Sequence, residues 1–279
     1  MTPIAVSINT SRRGRSVIAF TPAQRLEVCR RIQLVGMRYS LLVCCLVDDH
    51  LHIVALCSLD EAGALAQAVE SSITQVLGLK PGFGRYWVKP ITDQKHLETS
   101  IRYVLDQARR HQSRSDLDHH GNNGPELLGG RLLRTKRGGL VLPPCREVLR
   151  AHAPKVDLDK LEKLLFGDAP RVALKNMPAA PGGLAGRDLE AVCREAAAVA
   201  IGLPEFPPRG GGVSDALAAL LLLVESSGFA ESVDAQRMLG VCGGSVRRLR
   251  KRTVPVPLGA AVRWQLEFRL SRREFGLRR

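Results

Sequence analysis

Aromatic residues are scarce, at 4% of 279 positions, which disfavours a nucleic-acid module of the RRM type built on stacked rings. Long apolar runs are missing too. The longest, Ala216 to Val224, is far too short to cross a bilayer. No apolar leader follows the start, because residues 1–16 alternate and then turn basic. A cytoplasmic protein without a membrane partner is the expectation. The seven cysteines contain no Cys-x-x-Cys pair and are odd in number, which argues against a disulfide scaffold and a zinc ribbon and points to reduced thiols. Gly210-Gly211-Gly212 lacks the Lys-Ser/Thr of a phosphate-binding loop, so nucleotide binding has no support.

Acidic residues fall short as well: 27 Asp+Glu face 41 Lys+Arg, for a net charge of +14. The excess is uneven. Eleven basic residues lie between Arg247 and Arg279 against Glu267 and Glu274 alone, so this segment carries +9 of the +14. A polyanion is the partner such a segment fits, and counterion release makes that binding salt-dependent. With 45% apolar residues the chain can bury a core, and its length suits one large domain or two modest ones.

Hydrophobic period and turn chemistry divide the chain into three parts. In residues 1–112 the alternation of Pro3–Asn9 reads as a strand, Val17–Phe20 as a second extended piece, and Thr21-Pro22 as a helix start. Tyr39–Val47 and His50–Cys57 read as a hairpin turning at Asp48-Asp49, followed by a helix over 62–77. A short strand at 86–91 precedes a helix capped by Asp93 and running to about His111. The order β-β-α-β-β-α-β-α predicts an α+β fold, an antiparallel sheet with helices on one face. Residues 113–180 read as a linker with accessory helices, one of them over 157–166. Residues 181–279 read as a helical domain, with Ser214 capping an apolar helix to about Ser226. Val233–Leu239, the turn at Gly240–Gly244 and a helix capped by Ser245 over 246–252 have the form of a helix-turn-helix. Arg247, Arg248, Arg250 and Lys251 on that second helix are its candidate DNA contacts.

Two local patterns carry chemistry. In Asp49-His-Leu-His-Ile-Val-Ala-Leu, His50 and His52 are two apart on a strand and project from one face, as two ligands of one metal would. Leu51, Ile53 and Ala55 take the other face. A surface histidine pair is the plainer reading of this tripeptide taken alone. On the Asp93 helix, Leu97, Ile101, Val104, Leu105 and Ala108 form an apolar stripe, while Tyr103 and Gln107 stand one turn apart on the polar side. Asp118-His119-His120 is a weaker metal candidate, since neighbours on a loop seldom converge. Cys44 and Cys45 point to opposite strand faces and read as core.

Together, a His-hydrophobe-His strand and a Tyr-x-x-x-Gln helix in this element order resemble the HUH single-tyrosine transposases, the REP-associated tyrosine transposases and their insertion-sequence relatives. The resemblance spans residues 1–112. Asp48-Asp49 stands where family members often have Pro-Asn, and Gln107-Ala108 differs from the Asn-Pro usual in the REP-associated branch. The resemblance implies that His50, His52 and Gln107 hold Mg²⁺ or Mn²⁺ and that Tyr103 is the nucleophile. It implies cleavage of single-stranded or hairpin DNA through a 5′-phosphotyrosine, in a bacterial, nucleoid-associated setting. Arg12, Arg13 and Arg15 are then candidate DNA contacts, and a homodimer is the expected assembly if Tyr103 serves a partner's histidines. The C-terminal helices resemble the helix-turn-helix of bacterial replication initiators. The competing class is a non-catalytic DNA-binding regulator, in which the basic C-terminus carries the function.

Overall fold

The computed structural model describes residues 4–110, 119–135, 137–167, 171–206 and 212–274. They fall into two compact units, one within Met1–Leu128 and Pro143–Gly167, the other within Gly129–Leu142 and Asp168–Arg279. The sequence boundaries at 112 and 180 are therefore displaced. Residues 119–128 and 143–167, read as linker and accessory helices, are part of the first unit.

In that unit β1 (Ala5–Ser11) is followed by α1 (Pro22–Gly36), the hairpin of β2 (Leu41–Leu46) and β3 (His50–Ala55), α2 (Leu59–Leu77), β4 (Trp87–Ile91) and α3 (Gln94–Leu105). A single turn, α4 (Gln107–Arg110), continues past Asp106, and α5 (Gly124–Leu127), α6 (Cys145–His152) and α7 (Leu158–Phe166) complete it. Helix starts follow side-chain chemistry. Thr21 and Ser58 each close a capping box with the Gln24 and Glu61 three residues on, and Asp93 accepts from the His96 amide. Val17–Phe20 forms no strand. The Arg13–Arg15 turn, with Gly14 at φ +69°, takes the chain off the sheet, and Ile18 and Ala19 are buried as a plug.

The sheet is antiparallel in the order β2-β3-β1-β4. Its helices lie on both faces, not on one as the sequence suggested. Val6, Ile8, Leu51, Ile53 and Ala55 pack with residues of α1 and α2. Ala5, Val43, Val54 and Ile91 pack with Leu97, Ile101, Val104 and Leu105 of α3 and with Cys145 and Leu149 of α6. The reason is in β2, whose Leu-Leu-Val-Cys-Cys-Leu run has no polar face to leave in water, so it needs cover on both sides. Cys44 and Cys45 divide between the two layers.

The edge of β2 is closed by a polar segment. Leu46 N donates to Gly121 O at 2.8 Å, Cys44 N donates to Asn123 Oδ1 at 2.8 Å, and Asn123 Nδ2 donates to Leu42 O at 3.0 Å. The Asn123 amide thus stands in for the backbone of a fifth strand. Asn122 and Asn123 are fully buried, although their composition reads as a loop. His119 is engaged with Leu165 O and Asn122, at 2.7 and 2.9 Å, which occupies both ring nitrogens.

The second unit holds a short hairpin of β5 (Leu133–Arg134) and β6 (Leu140–Val141) and the helices α8 (Gly186–Ala200), α9 (Val213–Glu225), α10 (Ala235–Leu239), α11 (Gly243–Arg250) and α12 (Val256–Glu274). Ala196, Ala197 and Ala200 of α8 pack with Leu220, Ala261, Val262 and Leu266 from α9 and α12. Glu190 ties α8 to α10, accepting from Asp234 N at 2.9 Å and from two nitrogens of Arg237. The N-cap of α9 is Gly212 and that of α11 is Cys242, so Ser214 and Ser245 sit inside the first turn of each helix instead of capping it.

Removing the strand mimic tests its weight. Asn123→Ala strands a buried N–H and a buried C=O, and is expected to cost about 2–4 kcal/mol of first-unit stability in urea unfolding.

Candidate active site and nucleic-acid interface

Strand β3 is buried on both faces, and period two places His50, His52 and Val54 toward the α3 layer. The two imidazoles lie edge to face with ring centroids 4.8 Å apart. Tyr103, on α3, stands over the second of them at 5.6 Å, its ring almost perpendicular to His52 at 88°. Both histidines are buried, while Tyr103 keeps 44% of its surface exposed, so the phenol sits at the mouth of the site. Gln107, one turn on and fully buried, donates from Nε2 to the Tyr103 carbonyl at 2.9 Å. The structure therefore gathers His50, His52 and Tyr103, with Gln107 bonded to the backbone beneath the phenol.

Two charged residues that were not among the sequence's candidate site residues, Asp49 and Arg110, join this group. Asp49 Oδ1 lies 2.6 Å from His50 Nδ1, and Arg15 reaches Asp49 Oδ2 at 3.4 Å. Burial alone would raise the Asp49 carboxyl; the hydrogen bond with His50 and the charge of Arg15 outweigh it and hold the carboxyl below its ordinary value. Read from sequence, Asp49 was only a turn residue; its place beside the first histidine was the available signal. Arg110 pairs with Asp106 at 2.9 Å and lies over the Tyr103 ring at 5.1 Å. Its signal was spacing, seven residues or two helical turns beyond Tyr103.

The residues suit a divalent ion. His50 Nδ1 lies against the Asp49 carboxylate, the pairing found in carboxylate–histidine–metal sites, where the other ring nitrogen is the ligand atom. Gln107 has its amide nitrogen occupied, which leaves Oε1 to coordinate. Two imidazoles and an amide oxygen fit Mn²⁺, or Mg²⁺, with positions to spare for phosphate oxygens. Among the described residues no group of three or more His, Cys, Asp or Glu side chains could hold a metal ion.

The N-terminal arginines differ from one another. Arg12 donates to the carbonyls of Pro81 and Lys80 at 3.3 and 3.4 Å and to that of Val17, which makes it a staple between loops. Arg13 is exposed with its Nε on Phe83 O, and Arg15 is exposed beside Asp49.

In the second unit α10, a three-residue turn and α11 form a compact pair. Gly240 takes φ +66° at the end of α10, a left-handed conformation suited to glycine. Met238, Leu239, Val246 and Leu249 face the core. Arg247, Arg248, Arg250 and Lys251 are exposed. Arg248 bonds Ser245 Oγ at 3.0 Å and Arg250 bridges to Glu225 at 2.7 Å.

No family model and no curated protein matches this sequence. Among solved structures, the chain is similar to one described as a REP-associated tyrosine transposase bound to a REP hairpin. The identity is 19%, over 40% of this chain and 70% of that one, with a TM-score of 0.34. The likeness is slight, and the chemistry of the site rests on its own side chains.

The Asp49 cluster has a pH signature. A carboxyl lowered by folding adds stability that is present above the ordinary carboxylate range, near pH 4, and is lost as pH falls through its folded value. Wild type is therefore expected to exceed Asp49→Asn in urea midpoint at pH 6, with the difference vanishing on acidification below about pH 4.

Proposed function

We propose that the first unit is a metal-dependent single-stranded DNA endonuclease and strand transferase with Tyr103 as nucleophile, and that the second unit is a DNA-binding helix-turn-helix module. The observation that carries this reading is a half-exposed phenol set edge to face on one of two adjacent buried histidines. Core packing does not require a tyrosine there, and a nucleophile does. The family resemblance of residues 1–112 implies the same activity.

In this reading Tyr103 Oη attacks the scissile phosphorus in line. A phosphorus–Oη bond forms as the bond to the 3′ oxygen breaks. The phenol gives up one proton and the departing 3′ oxygen takes one, so the step is proton-neutral. His50, His52 and Gln107 would hold a divalent ion, which would supply Lewis-acid polarisation of the phosphate. Asp49 fixes the His50 ring so that Nε2 points into the site. Arg110, beside the phenol ring, places positive charge near where the pentavalent transition state gathers negative charge, and its pairing with Asp106 moderates that charge. The linkage through Tyr103 keeps the phosphodiester energy, so the strand can be rejoined to another 3′-OH without a nucleotide cofactor. Single strands are the expected substrate, because a duplex would keep its backbone away from a phenol at the mouth of a buried site.

An adduct assay decides the matter. Purified protein is incubated with hairpin-flanked single-stranded DNA in Mn²⁺ or in EDTA, and denaturing gels and mass spectrometry look for covalent protein–DNA. The expected adduct maps to Tyr103 and is absent with EDTA, with Tyr103→Phe and with His50→Ala/His52→Ala. Absence of any adduct, with salt-sensitive binding that survives these substitutions, would instead establish the non-catalytic DNA-binding protein. Asp49→Ala is expected to weaken Mn²⁺ binding roughly tenfold to hundredfold, read by calorimetry.

The second unit has its own measurement. Arg247→Ala and Lys251→Ala are each expected to lower duplex affinity and to reduce the slope of log K against log salt by about one.

A further inference from the structure

The strand register places three residues in one row across the sheet. Asn9 of β1 pairs with His52 of β3 on one side and with Trp87 of β4 on the other. Residues opposed in register share a face, so Asn9 and Trp87 project from the face that carries the two histidines. Two strand spacings separate Trp87 from His52, about 10 Å. That is near enough for a strand whose phosphate lies at the histidines to bring a neighbouring base over the indole.

Each member of the row is unusual. Trp87 leaves 68% of its surface in solvent, the largest exposure of any aromatic side chain on this sheet. Arg85 holds its guanidinium 5.7 Å from the indole centroid, and Lys89 is exposed two residues on, on the same face. Among the described residues Asn9 Oδ1 is buried and accepts no hydrogen bond. An apolar ring flanked by cations and beside a vacant amide acceptor does not suit an apolar partner. Nor does it suit an added strand, because Pro90 and Lys89 lie on the outer strand β4 and oppose edge pairing.

We infer that Trp87, with Arg85 and Asn9, is the stacking platform for an unpaired base next to the scissile phosphate. The indole takes the base face, Arg85 and Lys89 take the backbone charge, and Asn9 accepts from an exocyclic amine, which favours adenine or cytosine over thymine. This inference rests on the nuclease reading above for the identity of the phosphate, while the platform itself can be tested without cleavage.

The test uses the full chain in EDTA with the single-stranded decamers dA10 and dT10, followed by indole emission and anisotropy. The other tryptophan, Trp264, is buried, so Trp87→Phe subtracts its background. Saturation is expected to quench emission in wild type and to leave Trp87→Phe unchanged. Trp87→Ala is expected to weaken binding about tenfold to hundredfold, and Trp87→Phe only a few-fold. Asn9→Ala is expected to narrow the preference for dA10. In Mn²⁺, the adduct with hairpin-flanked DNA is expected to slow in Trp87→Ala and recover in Trp87→Phe. Unchanged indole emission at saturation, or wild-type affinity and adduct rate in Trp87→Ala, would overturn the platform. Quenching that depends on Trp87 in a protein forming no adduct would support the platform and remove the nuclease reading, so the two failures are distinguishable.

Discussion

The alternation of β3 is the constraint on which the first unit depends. Leu51, Ile53 and Ala55 bind the strand to the α1–α2 layer, and Val54 holds it to α3. With both faces committed to packing, the register of β3 cannot slip by one residue without sending all four of these apolar side chains to the wrong layer. His50 and His52 inherit that rigidity. They are polar groups on an otherwise apolar face, aligned by the strand's period and locked by the packing of their neighbours. The same alternation fixes Asn9 and Trp87, because antiparallel pairing carries the row from β3 through β1 to β4.

Burying two imidazoles is costly unless their nitrogens are engaged. Asp49 offsets that cost at His50, and its own charge is offset by Arg15 at the surface. A chain of alternating charge thus leads from solvent to the first histidine. On the other side of the site Asp106 and Arg110 form a second such pair beside Tyr103. Each pair sets opposite charges side by side next to the histidine–tyrosine group and so keeps the local net charge small.

What the sequence disclosed, and what it hid, follows from the range of the interactions. The His-x-His face, the Tyr-x-x-x-Gln turn and the Thr21, Ser58 and Asp93 starts depend on residues two to four apart, or on short caps, so the pattern alone carries them. The pattern failed where partners are distant. Gly121–Asn123 reads as a loop by composition, yet pairs with β2 some eighty residues earlier. The second helical layer was missed because the apolar stripe of α3 does not say which face of the sheet it covers, and because α6, its companion there, lies beyond a stretch that looked like a linker. Helix α12 was missed because its apolar period is interrupted by Gly259 and by Arg269, a buried cation paired with Glu195 at 3.1 Å. Arg12 looked like a free basic contact, and the loop carbonyls that hold it could not be foreseen.

The two proposed DNA surfaces ask for different forms of the same polymer. A helix-turn-helix places a helix against a groove, which only a duplex or a hairpin stem offers. A buried histidine pair with a phenol at its mouth needs a backbone freed from pairing, and an exposed indole in the same sheet row needs an unstacked base. The electrostatics diverge in the same way. In this proposal the exposed arginines and lysine of α11 would bind through counterion release and weaken steeply with salt. The inferred platform on the sheet row would add ring stacking, which salt screens little. A DNA molecule that joins a stem to a short unpaired flank satisfies both demands, and neither a plain duplex nor an unstructured strand does.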